Sequence, residues 1–175
     1  MKLNLGCGPR LFHLPGWVNI DKNPDCGPNL LMDLTKNLPY ENNSVDFIVT
    51  EHFLEHITRI QADFLMSECY RVLKVGGVIR INVPDLETLV NKYITNDVRG
   101  WETTCPNRCH LMNFIMNDIE HRFIYDFDEL YILLNKAGFS SIERCEINRS
   151  KYTELCDVNC RKEGDLISIV VEGVK

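Results

Sequence analysis

The sequence predicts an α/β fold built on a mostly parallel sheet, and three observations carry that prediction. Short apolar runs of strand character recur along the chain, separated by turn-rich connectors or helical stripes. The first, Leu3-Asn4-Leu5, runs into Gly6-Cys7-Gly8, two glycines that let the backbone turn tightly and a ligand approach it. Acidic and polar residues close the later runs: Asp21, Asp33-Leu34, Thr50 to His56, and Pro84-Asp85. Ligands of open α/β sheets bind beyond the carboxyl ends of the strands, where the strand order reverses. That rule gathers Gly6 to Arg10 and the later strand ends on one edge.

Taken in order, the glycine turn is followed by Pro9-Arg10-Leu11-Phe12-His13-Leu14-Pro15-Gly16 and a second strand, Trp17-Val18-Asn19-Ile20. A parallel crossover ordinarily needs a dozen or more residues and a helix; this one is too short and carries two prolines. The connector Asn23-Pro24-Asp25-Cys26-Gly27-Pro28 before Leu30-Leu31-Met32 is equally short, so the helices between the first three strands are reduced. Val45-Asp46-Phe47-Ile48-Val49-Thr50 is a buried strand. Thr58 and Gln61 have capping-box spacing, Phe64, Leu65, Cys69, Val72 and Leu73 form the stripe behind it, and Gly76-Gly77 is expected to stop that helix.

Val78-Ile79-Arg80-Ile81-Asn82-Val83 is the next strand. A helix beginning at Pro84-Asp85 places Leu86, Leu89, Val90, Tyr93 and Ile94 on one face. Residues 95–111 are irregular, and Met112, Ile115, Met116 and Ile119 indicate a short helix. Asp126 and Glu129 make a second box, Leu130, Leu133, Leu134 and Ala137 the stripe, and Gly138 the stop. Strands over 141–148 and 166–174 flank a polar loop at 149–164 and form a candidate hairpin. The 175 residues show no internal repeat or linker and make one domain, 1–175.

A net charge of -6 disfavours a nucleic-acid partner, which would call for a basic surface. No apolar run approaches the roughly 18–20 residues that span a bilayer, so no membrane partner is expected. Asn4 and Gly6 interrupt any export signal, which points to a cytoplasmic location. The eight cysteines then read as reduced thiols. Cys105/Cys109, with His110 adjacent, and Cys156/Cys160 share a Cys-x-x-x-Cys spacing. Zinc sites more often use tighter knuckles, and no metal is assigned; Cys69 and Cys145 suit apolar packing.

Asp21 ends the second strand, where a carboxylate can accept two hydrogen bonds from a ribose diol. A dinucleotide site would need a third glycine opening a helix and an acid some 20 residues further on. Here Leu11 holds the third position, no helix follows and the acid comes early, so a pyrophosphate would lack its helix N-terminus. An NAD-dependent oxidoreductase is thereby disfavoured.

Leu-Asn-Leu-Gly-Cys-Gly-Pro-Arg followed by Pro-Gly-Trp-Val-Asn-Ile-Asp resembles the cofactor motif of class I S-adenosylmethionine-dependent methyltransferases. More narrowly it resembles the short type 11 group found with polysaccharide and glycan biosynthesis. Asp33-Leu34-Thr35, Asn43-Ser44-Val45-Asp46-Phe47, His52-Phe53-Leu54-Glu55-His56, the stretch from Glu68 to Gly77, Ile81 to Leu86 and His121 to Asp126 extend the resemblance to about Phe139. It implies a Rossmann-like methyltransferase fold whose seven-stranded sheet has an antiparallel last strand. It also implies that Gly6, Cys7 and Gly8, with Pro9 and Arg10 beside them, pass beneath the methionine part of S-adenosylmethionine. Asp21 would hold the ribose, Asp33 and the Leu34 amide the adenine, and Glu51 and His52 the methyl end. Val75 departs from the proline common in the group.

The function expected is methyl transfer to a small-molecule acceptor, with a sugar or glycan-like hydroxyl implied by the resemblance alone. His52 is the first candidate general base, followed by His121 and by Asp85, which doubles as a helix cap; His56 is assigned to packing, and Arg10 to the cofactor carboxylate. A non-catalytic binding or assembly subunit is the alternative. The missing helices bare one face of the first strands, which raises the expectation of a homodimer through that face. The loops at 95–111 and 149–164 are the rival cover.

Overall fold

The computed structural model describes residues 1–159 and 167–175. Seven strands, β1 (Lys2–Leu5), β2 (Val18–Asp21), β3 (Leu30–Leu31), β4 (Val45–Glu51), β5 (Leu73–Pro84), β6 (Ser140–Cys145) and β7 (Ser168–Val174), form one sheet in the order β3-β2-β1-β4-β5-β7-β6. β1 to β5 pair in parallel, while β7 runs antiparallel between β5 and β6. The order reverses between β1 and β4, so the carboxyl ends of those two strands flank the switch point. The expected Rossmann-like sheet with an antiparallel last strand is what the chain forms.

Alternation splits the strands between two cores. Leu3, Leu5, Ile48, Ile79 and Ile81 face the helices α1 (Arg59–Val72) and α4 (Phe127–Ala137), meeting Leu65, Met66 and Cys69 from one and Leu130, Leu133 and Leu134 from the other. Thr58 and Gln61 cap α1 reciprocally, as their spacing demands. Asp126 caps α4 by accepting from the Glu129 amide at 2.9 Å, but the Glu129 side chain does not reach back. It pairs with Arg59 instead and ties α4 to α1. Gly76-Gly77 does not stop α1: the helix ends at Val72, and β5 already begins at Leu73, pairing with Val45.

On the opposite face, 3-10 turns at Arg10–Phe12 and Pro24–Cys26 replace the first two crossover helices. An asparagine network, buried at Asn4 and Asn19 and reaching the surface at Asn29, does the anchoring a helix would otherwise do. Asn4 Nδ2 and the Leu14 amide both donate to Asn19 Oδ1, each at 2.9 Å, while the Asn19 amide donates to Asn29 Oδ1 at 2.9 Å. Every one of these polar groups would be costly to bury alone. Leu14 and Trp17 pack there beside Val49 and Val78, and Tyr152, Leu155 and Val158 close the layer.

On this face the chain's own 149–159 segment packs over β4 and β5, next to Leu14 and Trp17 of the first crossover, so one of the two rival covers is in place over those strands, while Leu31 of β3 stays exposed. That segment is pinned by Arg80. Its fully buried guanidinium pairs with Glu172, and donates to the Glu146 carbonyl at 2.8 Å, the Arg149 carbonyl at 3.1 Å and Asn159 Oδ1 at 3.0 Å. Cys160 and Leu166, named above, lie outside the described residues.

Helix α2 (Leu86–Thr95), which precedes the short α3 (Arg108–Asn113), turns its stripe differently from expectation. Leu89 and the stem of Lys92 are buried, whereas Val90, Tyr93 and Ile94 are exposed. No helix among the described residues is long and apolar enough to cross a membrane.

Glu68 accepts from the Leu38 amide at 2.8 Å and pairs with Arg71, which also donates to the Leu38 and Tyr40 carbonyls. The Arg71 hydrogen bonds hold the Glu68 carboxyl below the usual range for a glutamate. A depressed folded pKa contributes stability above the unfolded pKa that is lost as pH falls through the folded one. Acid titration of Tm should therefore show a steeper loss below about pH 4.5 in the native chain than in E68Q, whose side chain does not titrate.

Candidate active site

The end of β1 sets the geometry. Gly6 and Gly8 adopt φ of +69° and +58°, which side-chain-bearing residues rarely adopt. A Cβ on Gly6 would lie 2.4 Å from Phe53, so the ring packs directly on the glycine. The Gly6 and Cys7 amides both donate to the Ile20 carbonyl, and the Gly8 amide donates to Asp21 Oδ2 at 3.0 Å. Asp21 Oδ1 accepts from the Asn23 amide at 2.9 Å. Each oxygen keeps a second lone pair for a ligand. Burial, then the nearby Asp21 charge, pushes the Cys7 thiol up to about 12, which keeps it neutral.

Two hollows meet at the Gly6–Phe53 contact. The larger, about 430 Å³, is lined by Gly6 to Pro9, Phe12, Glu51, His52, Glu55, His56 and His121, with Trp101, Phe114 and Ile115 as an apolar wall. The smaller, about 30 Å³, lies between Asp21, Asp33, Leu34 and Phe53. Asp33 accepts from the Thr35 amide and hydroxyl through one oxygen, Oδ1, and these bonds hold its carboxyl below the usual range.

His52 follows β4 with φ +49°, an uncommon conformation for a non-glycine residue and a frequent mark of functional sites. Its Nδ1 lies 3.0 Å from Glu55 Oε1 and its Nε2 3.2 Å from Ser168 Oγ. Glu51 accepts from Asn82 Nδ2 at 3.0 Å, which steadies the strand end. The Glu55 carbonyl accepts from the Arg122 and Phe123 amides, so the loop carrying His121 is fastened to the turn carrying His52. Burial pushes the His121 imidazole down; Glu55 opposes that shift, and the nearby Ile115 carbonyl does so more weakly.

The edge rule thus brings Gly6, Cys7, Gly8, Pro9, Glu51, His52 and His121 to one cavity and Asp21, Asp33 and Leu34 to the adjoining cleft. It does not bring Arg10, which is exposed and packs over Gly27. Nor does it bring Asp85, whose carboxylate accepts from the Thr88 hydroxyl at 2.7 Å and the Glu87 amide at 3.3 Å and caps α2 away from the cavity wall. The His-Phe-Leu-Glu-His spacing carries the signal for Glu55, since it stands three positions after His52. Trp101 and Phe114 carry no such signal, and Phe53 and Glu55, inside the named stretch Thr50 to His56, have no individual role there.

Among the described residues, Cys105, Cys109 and Cys156 of the two Cys-x-x-x-Cys pairs do not come together. Cys105 is buried in an apolar cluster, Cys109 is exposed, and the Cys156 thiol lies against the Ser150 and Tyr152 carbonyls.

The family described as a methyltransferase domain matches residues 19–81. The described structure is similar to that of an S-adenosylmethionine-dependent methyltransferase from Archaeoglobus fulgidus, with a TM-score of 0.62 and 20% identity over 99% of this chain and 85% of the other. The fold is a methyltransferase fold. A Haemonchus contortus phosphoethanolamine N-methyltransferase, solved with S-adenosyl-L-methionine, shares that fold at TM-score 0.60 and 14% identity, over 99% of this chain and 48% of its own. A Mycolicibacterium smegmatis protein described as "Probable S-adenosylmethionine-dependent methyltransferase" is 35% identical over 74 residues, 38% of this chain and 28% of that protein. The chain thus spans under a third of that relative.

Within this methyltransferase fold, the first crossover is only a short 3-10 turn, which offers no helix N-terminus for a dinucleotide pyrophosphate. The non-catalytic alternative rests on an uncovered sheet face, and part of that face is covered from within the chain by Leu14, Trp17, Leu155 and Val158.

Proposed function

We propose that the protein is an S-adenosylmethionine-dependent methyltransferase that O-methylates a sugar or glycan-like small molecule. The observation that carries this reading is the Asp21 carboxylate. It is tied to the Gly8 amide, flanks the cleft that also holds Asp33, and retains the lone pairs that a vicinal diol requires. Gly6 to Pro9 would hold the methionine end, Asp21 the ribose, and Asp33 with Leu34 the adenine. When bound, the cofactor supplies an electrophilic methyl group on a sulfonium.

The chain's own contribution is placement and proton handling. Trp101 and Phe114, with ring centroids 5.7 Å apart, offer an apolar wall opposite the polar His52–Glu55 side, which suits an acceptor with both hydroxyls and a C–H face. Glu55 holds the proton of His52 on Nδ1, leaving Nε2 as the basic atom. In the described state Ser168 occupies Nε2; an acceptor hydroxyl taking its place would give its proton there. Orientation of the acceptor supplies much of the remaining acceleration.

An acceptor screen with methyl-labelled cofactor tests the reading, using nucleotide sugars, free glycans and small amines as separate arms. Label is expected in a sugar hydroxyl, and H52Q is expected to lower kcat about 10²–10⁴-fold with cofactor affinity little changed. Label entering only amines would overturn the sugar assignment, and an unchanged kcat in H52Q would overturn the base.

A further inference from the structure

We propose that Glu55, His56 and His121 form a binding site for a divalent transition-metal ion on the acceptor side of the large cavity. Among the described residues these three are the group of histidine, cysteine and acidic side chains whose ligand atoms come together, all within 4.8 Å of one another. All three line the cavity. Two imidazoles and one carboxylate are the donor set of catalytic zinc and of facial-triad iron, both of which keep coordination positions open.

The polar bookkeeping of the cluster points to a cation. Glu55 is 0% exposed, and while its Oε1 faces His52 Nδ1 at 3.0 Å, its Oε2 has no hydrogen-bond partner among the described residues. The His121 side chain is 3% exposed, its Nε2 stands 3.9 Å from Glu55 Oε1, and its Nδ1 has no partner in hydrogen-bond geometry. His56 sets its ring edge-on to His121 at 4.8 Å. Buried polar atoms without partners are rare and call for an explanation, and a cation between a carboxylate and two imidazoles supplies one. Ligand bonds of about 2.1 Å require donor atoms no more than about 4.2 Å apart, so binding draws the three side chains slightly together. His56 is exposed and free to make that movement.

The local sequence makes the arrangement. Glu55 and His56 sit on the 3-10 turn Leu54–His56 that ends the β4 connection, and His121 is brought over them by the Arg122 and Phe123 amides donating to the Glu55 carbonyl. The open positions face the cavity. On the methyltransferase reading, on which this part alone rests, they take an oxygen of the acceptor; the O–H electron pair stays on the metal-held oxygen and the proton passes to His52 Nε2. The metal would favour acceptors that present oxygen ligands, including paired hydroxyls.

The test uses full-length protein stripped with a chelator, with neither cofactor nor acceptor present. Titration calorimetry with Zn²⁺ is expected to show one site, weakened at least 100-fold in H56A and in H121A. Co²⁺ loading is expected to give a visible spectrum without the thiolate charge-transfer band that cysteine ligation would add. H56A alters an exposed side chain, so it reports on ligation even where H121A disturbs packing. S-adenosylhomocysteine affinity measured in parallel separates the two proposals: metal binding without cofactor binding overturns only the methyltransferase reading, and the converse overturns only the metal site. Zn²⁺ binding that survives in the H56A/H121A double variant, or a thiolate band, would also overturn the site.

Discussion

Gly6→Ala is expected to abolish measurable S-adenosylhomocysteine binding and to destabilise the fold by about 2–5 kcal/mol. The left-handed φ of +69° costs an alanine about 1–2 kcal/mol. The added methyl would sit 2.4 Å from the Phe53 ring, and relief of such overpacking typically costs about 1–3 kcal/mol more. Phe53 also lines the small cleft, so moving it disturbs the proposed nucleoside site as well as the glycine turn. Gly16 is the natural control: its φ is +78°, yet nothing lies within 4 Å of an added Cβ. G16A should therefore lose only the conformational cost and retain cofactor binding. In denaturant titrations, a G6A loss no larger than that of G16A would show that the Phe53 contact is not what demands a glycine.

The second large effect lies across the sheet. Arg80→Met is expected to cost about 3–5 kcal/mol, because it leaves the Glu172 carboxylate buried and unpaired. It also strips donors from the Glu146 and Arg149 carbonyls and from Asn159, loosening the segment that packs over β4 and β5. Against a typical total stability of about 5–15 kcal/mol, that is a large fraction. The double variant R80M/E172M removes the stranded charge and should recover part of the loss, though not the carbonyl partners. A loss under about 1 kcal/mol in R80M, measured by urea unfolding, would contradict the role given to Arg80.

Much of this fold is legible in the sequence because its signals are local. Thr58 and Gln61 specify a helix start, Gly138 a helix stop, and the prolines at 9 and 15 forbid a helix between β1 and β2. What replaces that helix is not legible. Asn4 and Asn19 look like ordinary polar residues until β1 and β2 pair and bury them together, with Asn29 reaching Asn19 from the surface. Arg80 likewise sits in a run that reads as a buried strand, and its partners lie 66 or more residues away.

The candidate site divides the same way. The rule for α/β sheets gathers the strand-end acids and glycines at one edge, but Arg10 lines neither hollow, because the 3-10 turn carries its side chain over Gly27. Trp101, Phe114 and His121 reach the cavity only through the tertiary docking of residues 97–124, which no periodicity announces. The α2 stripe was misassigned for a related reason: Leu89 docks inward, while Val90, Tyr93 and Ile94, close in helical position, remain on the surface.

Calorimetric titration of the native chain and of D21A with S-adenosylhomocysteine tests the central claim most directly. One-to-one binding is expected for the native chain, with an affinity loss of at least tenfold in D21A, since a charged acceptor to the ribose is worth about 1.5–3 kcal/mol. No binding at high micromolar ligand, or equal binding by the two proteins, would contradict the assignment of this edge of the sheet to the cofactor.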